Sequence, residues 1–278
     1  MFVGRETIDL KLTLMDSAQC FRWTRDGAWF GGVIAGEPVW LTICGDGLYA
    51  EGGNVDQIRD YLDLDRDYGQ LAREYAHIDV ARRAVELYPG LRVLNQSPWD
   101  ALVTFILSAN NNVTRIRRLC DALAETYGPA YETGRGKLRG LPSAQVLAGR
   151  AEEELRALGM GYRAPYLIGT ARAVAEGFPL DALCGMEYAQ AHKMLVQLPG
   201  VGDKVADCVL LFGCRQPSAF PVDTWVEKLL KSWFGIEVKG RKRMLEASRA
   251  MLGEHAGLLQ QFLFHAARTG GIVLDSNE

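Results

Sequence analysis

The sequence lacks the features that mark several common protein classes. Its six cysteines contain no C-x-x-C pair and no close group of four, so neither a zinc site nor an iron–sulfur cluster is expected. No apolar run is long enough to cross a bilayer, and the first residues lack the charged and then apolar pattern of a secretory signal. The formal net charge of −3 gives no overall excess of cations and by itself mildly disfavours nucleic acid as the partner. These absences predict an intracellular protein with free, mostly buried thiols, no metal and no membrane contact.

The chain does have enough material for a large core. It contains 278 residues, of which 48% are hydrophobic and 23% are charged, as in an ordinary globular protein. Short apolar and polar alternations separated by glycine-rich turns predict strands at 10–14, 21–24, 29–34 and 39–43. From about Asp56 the apolar residues recur at helical spacing. We therefore predict an α+β protein with a small antiparallel β domain at 1–72 and a mainly α-helical domain at 73–278.

The helical part divides into segments separated by joints rich in glycine, proline or asparagine. Helices are predicted at 101–109, 114–127, 152–158, 165–175, 188–198, 203–212, 224–234, 241–252 and 255–269.

The joint between two of these helices carries the most information. Pro199 cannot continue a helix, and Gly200 and Gly202 permit a positive φ on either side of Val201. The segment therefore predicts a tight turn inside a helix-hairpin-helix at about 188–213. Free amides at such a turn suit a phosphate oxygen, which makes Gly200 and Gly202 candidate contacts to a DNA backbone. The same pattern also fits a simple pair of helices with no ligand.

Lys204 lies in the first turn of the second helix of this hairpin. The positive end of the helix dipole disfavours a cation there and favours the neutral amine that a nucleophile needs. Cys208 lies one turn later at the margin of the apolar stripe, so both side chains can share one wall of a pocket. Downstream, Asp223 precedes a predicted helix as an N-cap and could also stabilise a cationic sugar. A solvated lysine beside Asp203 remains the alternative.

Further motifs occur along the chain in a recognisable order. They are Gln-Cys-Phe-Arg-Trp at 19–23, Ser-Ala-Asn-Asn-Asn-Val-Thr-Arg at 108–115, Leu-Gly-Met-Gly-Tyr-Arg-Ala at 158–164 and Gln-Gln-Phe-Leu-Phe at 260–264. Together with the lysine hairpin, they resemble the helix-hairpin-helix superfamily of base-excision DNA glycosylases, and within it the 8-oxoguanine DNA glycosylase/lyase branch. The resemblance extends over nearly the whole chain.

The resemblance implies a set of roles for individual residues. By position, Lys204 attacks the sugar C1′ and Asp223 assists it. Cys208 and Phe264 sandwich the flipped base, and Gln260 bonds its Watson–Crick edge. Gln260 and Phe264 are one helical turn apart, so one helix face can present an amide and a ring together.

A second set of residues matches those that hold the strand opposite the lesion. Asn110, Arg115 and Arg163 match contacts to the unpaired cytosine, and Tyr162 matches the wedge that enters the base stack. Arginine can donate two hydrogen bonds to the acceptors of cytosine, and an aromatic wedge suits an enzyme that flips a base. Without the resemblance, these residues would be interpreted as a capping Asn, solvated Arg side chains and a packed Tyr.

The chain departs from the family pattern at two positions. Ala18 stands where the branch has a glycine whose carbonyl accepts the N7–H that distinguishes 8-oxoguanine from guanine. Alanine can supply the same carbonyl if its φ is negative and its methyl group fits. Trp225 stands where the branch has a histidine that contacts DNA.

These residues predict a bifunctional DNA glycosylase/lyase that removes 8-oxoguanine opposite cytosine and needs no cofactor or metal. Its expected partner is double-stranded DNA containing oxidised guanine, and we expect a monomer in a bacterial or archaeal cytoplasm. A glycosylase of the same fold for another damaged base is one alternative. A non-catalytic DNA-binding protein that uses the hairpin only for phosphates is the other.

Overall fold

The computed structural model of the chain describes residues 1–236 and 241–273. Its first part is an antiparallel sheet with the strand order β1-β5-β4-β3-β2. The strands are β1 (Phe2–Gly4), β2 (Thr24–Asp26), β3 (Trp29–Ile34), β4 (Glu37–Cys44) and β5 (Gly47–Gly52). Alternate residues such as Ile34, Leu41 and Leu48 form a small core under the sheet, as period-two alternation requires.

The strand predicted at 10–14 is wrong, because this segment is helical. Leu12–Asp16 forms one turn of π-helix, in which the amide of Ser17 donates to the carbonyl of Leu12 at 2.9 Å. Asp9 caps the turn by accepting a hydrogen bond from the amide of Leu12 at 2.9 Å. Leu10 and Leu14 are both buried, and their spacing of four residues fits a helix as well as a strand. The segment at 21–24 is extended only at its end, where Thr24 begins β2.

Within the described ranges, the rest of the chain is mainly helical, and the predicted α+β class is confirmed. The helices are α1 (Val55–Tyr61), α2 (Tyr68–Glu74), α3 (Asp79–Leu87), α4 (Pro98–Ser108), α5 (Val113–Tyr127), α6 (Ala144–Ala148), α7 (Glu152–Ala157), α8 (Arg163–Ala175), α9 (Tyr188–Leu195), α10 (Asp203–Gly213), α11 (Thr224–Phe234), α12 (Arg241–Leu252) and α13 (Ala256–Thr269). All the predicted helices are present, with ends that differ by a few residues. The predicted domain boundary at residue 72 falls within α2, and the division into domains stays a prediction.

A hairpin that the sequence did not predict follows α5. It consists of β6 (Ala130–Thr133) and β7 (Gly136–Arg139), and its turn lies at the Gly134-Arg135-Gly136 joint. Arg135 bonds Glu51 at 2.7 Å and lies 3.8 Å over the ring of Trp29, while Thr133 accepts from the indole of Trp40 at 2.9 Å. The hairpin therefore joins the sheet to the helical part.

Helix α4 lies at the centre of the helical part. Ser97 caps it by accepting from the amide of Asp100 at 3.0 Å, and Pro98 occupies a first-turn position that needs no amide donor. Every residue from Ala101 to Leu107 is buried, so the helix is enclosed by its neighbours. Phe105 stacks on Phe212 of α10 with ring centroids 5.3 Å apart. This packing fixes α10, which carries Lys204, against the end of α4.

Two expectations about the chain as a whole can be compared with these ranges. Cys20, Cys120, Cys208 and Cys214 are buried, Cys44 and Cys184 are exposed, and all are free thiols as predicted. No helix in residues 1–236 or 241–273 combines the length and apolar character needed to span a membrane.

Candidate active site

The hairpin between α9 and α10 is a tight turn anchored in the core. Val201 is 6% exposed, and the carbonyl of Pro199 accepts from the hydroxyl of Thr170 at 2.8 Å. Gly200 has φ +75°, and a Cβ there would lie 2.6 Å from the Cβ of Tyr166. Gly202 is extended at φ −95° with open space around it. Only Gly200 thus uses the left-handed freedom that the sequence allowed both glycines.

Gly202 is also the N-cap residue of α10, and no side chain caps this helix start. Its amide and that of Gly200 have no hydrogen-bond partner in the described part of the chain. Such a turn at the positive end of a helix can bind an anion through its amides.

Lys204 projects from the first turn of α10 toward the end of α4. Its Nζ donates to the hydroxyl of Ser108 at 3.0 Å and lies 4.9 Å from the ring centroid of Phe105. The amine also contacts the thiol of Cys208 one turn along the helix. Burial raises the pKa of Cys208 to about 12, against the opposing effect of Lys204, so the thiol is neutral at physiological pH. Lys204 and Cys208 thus form one wall of the candidate site, in which a half-buried amine lies beside a neutral thiol.

Asp223 is the N-cap of α11, as its position before the helix predicted. Its carboxylate accepts from the amides of Trp225 at 3.0 Å and Val226 at 2.9 Å, which fixes its orientation. It lies close enough to Cys208 for its charge to raise the pKa of that thiol. Asp223 is bonded to these amides and Lys204 to Ser108, so each side chain is held by its own partners. The side chain of Trp225 is 41% exposed.

Gln260 and Phe264 lie one turn apart on α13. Gln260 is 4% exposed, and its Oε1 is buried without a hydrogen-bond partner among the described residues. Phe264 is partly buried and packs against the main helical core. A buried amide oxygen without a donor is costly, so it marks a place where a ligand can complete a hydrogen bond. Glutamine is usually exposed in folded proteins, so the burial of Gln260 is a feature that its residue type does not predict.

Ala18 differs from the condition that the sequence set for it. Its φ is +59°, in the left-handed region, where our prediction required a negative value. Its neighbours hold this conformation: the carbonyl of Ser17 accepts from Gln261 at 2.7 Å, and the Nε2 of buried Gln19 donates to the carbonyl of Arg92 at 2.7 Å. The backbone thus adopts the conformation that a glycine would favour, with the alanine methyl group present.

The residues assigned to the opposite strand surround one junction, between α4 and α5. Asn110 is exposed at φ +47°, and Tyr162, which is 46% exposed, donates from its hydroxyl to the carbonyl of Ala109 at 3.0 Å. Arg163 is only 3% exposed, and its guanidinium donates to the carbonyls of Ala109 and Asn110. Arg115 is exposed and donates to the carbonyl of Gly159 at 3.3 Å. The sequence-distant segments meet here, with Arg163 bonded to the junction itself.

Sequence reasoning missed Ser108 as the partner of Lys204. The only available signal was its position directly before the asparagine-rich junction, 96 residues away from the lysine. A cavity of about 910 Å³ in the described part of the chain does not mark the site either. It is lined by residues such as Arg22, Tyr61 and Asp100 and not by Lys204 or Asp223.

Comparison with known families places this geometry. Residues 103–254, more than half of the chain, match the model of the HhH-GPD superfamily base excision DNA repair proteins. The chain belongs to the HhH-GPD superfamily. Residues 1–102 match the model of the 8-oxoguanine DNA glycosylase N-terminal domain. The resemblance seen in the sequence motifs is therefore confirmed at the level of the family.

Individual members of the superfamily are similar to this chain. The probable N-glycosylase/DNA lyase of Methanothermobacter thermautotrophicus is 34% identical over 204 residues, which are 66% of this chain and 65% of that protein. An N-glycosylase/DNA lyase of Arabidopsis thaliana is 34% identical over 80% of this chain and 60% of its own length. The chain thus matches less than two thirds of the length of these curated relatives.

A solved structure extends the similarity over nearly the whole chain. The 8-oxoguanine glycosylase/lyase of Clostridium acetobutylicum, in complex with double-stranded DNA containing cytosine opposite 8-oxoguanine, is 30% identical with a TM-score of 0.89. The match covers 96% of this chain and 94% of that one.

No group of three or more His, Cys, Asp or Glu side chains in residues 1–236 and 241–273 could hold a metal ion.

Proposed function

We propose that this protein is a bifunctional DNA glycosylase/lyase that removes 8-oxoguanine, opposite cytosine, from double-stranded DNA. The observation that carries the proposal is the half-buried amine of Lys204, held by Ser108 at 3.0 Å beside the neutral thiol of Cys208. The similarity to the Clostridium acetobutylicum enzyme over nearly the full chain supports the choice of lesion.

In the first step, the neutral amine of Lys204 attacks C1′ of the flipped nucleotide. A bond forms between Nζ and C1′ while the bond from C1′ to the base breaks, and the base leaves with the bonding electron pair and takes up a proton. Asp223 stabilises the positive charge that develops on the sugar, because its carboxylate is fixed by two helix amides. Ser108 orients the amine by accepting one of its N–H bonds.

In the second step, the adduct between Lys204 and the sugar opens to an imine. The imine makes the C2′ proton acidic. A proton acceptor removes this proton, and the 3′ phosphate leaves by β-elimination. Water then hydrolyses the imine and frees the lysine. Strand cleavage therefore depends on the same amine as base release.

Recognition of the base is assigned to α13 and to the turn at Ala18. Gln260 offers a buried oxygen that lacks a donor, which suits the N–H groups on the Watson–Crick edge of a purine. Phe264 and the thiol of Cys208 are proposed to hold the two faces of the base. Ala18 is proposed to supply its carbonyl to the N7–H of 8-oxoguanine from the glycine-like backbone at φ +59°, and not from the negative φ that our prediction required.

DNA positioning is assigned to the hairpin and to the junction after α4. Gly200 and Gly202 offer amides to a phosphate. Tyr162 is proposed as the wedge, and Asn110, Arg115 and Arg163 as contacts to the opposite cytosine. Arg163 must exchange its bonds to the Ala109 and Asn110 carbonyls for this contact, so we expect the junction to rearrange when DNA binds.

Borohydride trapping tests the proposal. The protein is incubated with a duplex containing 8-oxoguanine opposite cytosine, and borohydride reduces any imine to a stable covalent adduct. We expect an adduct with the wild-type protein and none with Lys204→Gln. Lys193→Gln is the matched control, because Lys193 is an exposed lysine on α9 of the same hairpin. An adduct that persists in Lys204→Gln would remove the lysine from its proposed role.

The alternatives predict different outcomes in the same assay. A non-catalytic DNA-binding protein would give neither adduct nor base release with any lesion, yet would bind DNA equally well as Lys204→Gln. A glycosylase for another damaged base would form the adduct only with that lesion. A panel of opposite bases completes the test, because Arg115→Ala and Arg163→Ala should relax the preference for cytosine.

We further propose that the protein acts as a monomer in a bacterial or archaeal cytoplasm, where chromosomal DNA is accessible. Size-exclusion chromatography of the DNA complex tests the first part, since a dimer would elute at twice the expected mass.

A further inference from the structure

A second cavity, of about 420 Å³, lies next to the residues proposed to bind the base. Its lining includes Asp16, Val113, Arg117 and Arg268. Arg268 is on α13 one turn after Phe264, and its guanidinium lies 6.0 Å from the centroid of that ring. Asp16 is two residues before Ala18, and Val113 begins α5 directly after the asparagine-rich junction. The cavity therefore lies between the proposed base pocket and the junction of α4 and α5, which is proposed to contact the opposite strand.

The two arginines of this cavity are held in the same way. Arg117 donates from Nη2 to the carbonyl of Met15 at 3.0 Å, and Arg268 donates from Nη2 to the carbonyl of Asp16. In both side chains the Nε–H is buried without a hydrogen-bond partner. A guanidinium has five N–H donors, so each arginine has donors left for a ligand after a small rotation of its side chain.

No carboxylate neutralises these arginines by a close ion pair among residues 1–236 and 241–273. The carboxylate of Asp16, whose charge acts on Arg268, forms its close ion pair with Lys11 at 2.6 Å. Burial raises the pKa of Asp121, and the charges of Arg22 and Arg117 oppose that rise, so the interaction of Asp121 is divided between two arginines.

His265 adds no negative charge to the cavity. Burial, aided by Arg268, lowers the pKa of His265 to about 4, so the ring is neutral at physiological pH. Burial likewise lowers the pKa of Arg268, and the charge of Asp16 opposes this effect only in part. Two cations with unused donors that share one cavity favour an anionic ligand.

We propose that Arg117 and Arg268 form a subsite for a phosphate group, occupied by a backbone phosphate that flanks the flipped nucleotide. The assignment rests on the proposed function, because only a flipped nucleotide brings the backbone to the mouth of the base pocket. Arginine suits this role because its planar donors match two phosphate oxygens at once. Thr114, which also lines the cavity, adds a hydroxyl in the first turn of α5, where the helix dipole favours an anion.

Binding to a duplex with a stable abasic-site analogue tests the subsite independently of base release. We expect Arg117→Gln and Arg268→Gln each to weaken binding about tenfold, as loss of a charge-assisted hydrogen bond does. The slope of log affinity against log salt should fall by about 0.9 for the lost phosphate contact. Arg268→Lys should retain the slope because it keeps the charge. Arg118→Gln is the matched control, an exposed arginine beside Arg117 that does not line the cavity.

A neutral methylphosphonate placed at one backbone position at a time identifies the source of the phosphate. At one position flanking the abasic analogue, it should weaken wild-type binding about tenfold and leave binding by the Arg117→Gln/Arg268→Gln double variant unchanged, since that variant has lost both contacts to the phosphate. If wild type and variant respond equally at every position, the proposal of a DNA phosphate is overturned. Titration with inorganic phosphate, followed by NMR of the arginine Nε–H signals, is the second arm. If these signals shift with inorganic phosphate but no methylphosphonate weakens DNA binding, the subsite binds free phosphate, and the proposal of a DNA phosphate is overturned.

Failure of this proposal is distinct from failure of the proposed function. Borohydride trapping through Lys204 reports the chemistry, whereas the methylphosphonate scan reports only binding. If borohydride traps an adduct but no methylphosphonate weakens binding, only the phosphate subsite is overturned. If a methylphosphonate weakens binding but no adduct forms, the lyase activity is overturned and the phosphate contact remains.

Discussion

Helices α10 and α13 both carry residues of the candidate base pocket, but they differ in how their polar groups are satisfied. On α10, Lys204 bonds Ser108, and the neighbouring Asp223 is fixed by two amides. On α13, the Oε1 of Gln260 and the Nε of Arg268 are buried without partners among the described residues. The proposed reacting groups at α10 therefore have their hydrogen bonds without a ligand, whereas these two groups of α13 do not.

On the proposed function, the difference separates the residues of the reaction from the residues that recognise the base. A nucleophile and a charge-stabilising carboxylate act best when they are already oriented, because no reorganisation is then needed during the reaction. A recognition group that lacks its partner destabilises the free protein, and the right ligand restores the missing bond. We therefore expect removal of the unpartnered oxygen of Gln260 on α13 to raise stability and weaken binding. Substitutions at α10 should reduce stability together with activity, or activity alone.

The largest expected effect on stability comes from His265 in acid. Its folded pKa of about 4 lies below the ordinary 6.5, so the unfolded chain binds a proton more readily than the folded one. Stability from the neutral ring is present above pH 6.5 and is lost as the pH falls toward 4. The loss corresponds to about 3 kcal/mol.

Chemical denaturation at pH 7 and pH 4 measures this loss. His265→Asn should show an acid-induced loss about 3 kcal/mol smaller than wild type. His77→Asn, at an exposed histidine, serves as the control and should retain the wild-type acid response. An equal loss of stability between pH 7 and pH 4 in wild type and His265→Asn would show that protonation of His265 does not destabilise the fold.

The next effect concerns the turn before α10. Gly200→Ala places a methyl group 2.6 Å from the Cβ of Tyr166 at a positive φ, so it should reduce the free energy of unfolding by about 2 kcal/mol. Gly202→Ala meets open space and extended backbone, so its stability should stay within about 0.5 kcal/mol of wild type. Thermal unfolding compares the two variants. If both are equally destabilised, the anchoring of α10 does not depend on the left-handed residue.

Gln260 and Gln261 form a matched pair on α13. Gln260→Met removes an oxygen that lacks a donor, so the free energy of unfolding should rise by about 1 kcal/mol while lesion binding weakens. Gln261→Met removes the donor to the Ser17 carbonyl and should lower stability by about 1 kcal/mol. Urea unfolding and binding to lesion duplex are measured for both. A loss of stability in Gln260→Met would contradict the contrast between the helices.

The smallest expected effect is at Ala18, in the turn that Gln261 clamps to α13. Ala18→Gly relieves the strain of φ +59° but gains freedom in the unfolded chain, so stability should rise by about 0.5 kcal/mol. Ala35→Gly, at φ +50° in the turn between β3 and β4, should give a similar gain without any change in excision. Excision rates on lesion and undamaged duplexes then show whether the methyl group of Ala18 affects discrimination.

Helix positions and the α+β class could be predicted because local signals set them. Helix α11 begins and ends where the sequence predicted, since Asp223 caps its start and Gly235 ends it at φ +63°. The prediction of a strand at 10–14 was wrong because leucines at alternate positions also place two leucines four residues apart, which is the spacing of one helical turn. The hairpin β6–β7 was missed because its stability comes from contacts to distant Glu51 and Trp40.

In the candidate site, too, local features were predicted and contacts between distant segments were not. The sharing of one wall by Lys204 and Cys208 followed from their spacing on one helix. The bond from Lys204 to Ser108, the missing donor at Gln260 and the clamp around Ala18 all join distant segments. Such features depend on packing, which periodicity and capping signals do not encode.

The enclosed helix α4 has a consequence for genetics. Its middle residues are core, its Phe105 ring lies beside the amine of Lys204, and its last residue, Ser108, accepts a hydrogen bond from that amine. A shift of this helix by a fraction of an ångström would displace the proposed nucleophile without unfolding the protein. On the proposed function, a screen for mutator phenotypes should recover conservative changes at positions such as Val103 and Leu107, whose carriers accumulate normal amounts of a folded protein with low repair activity.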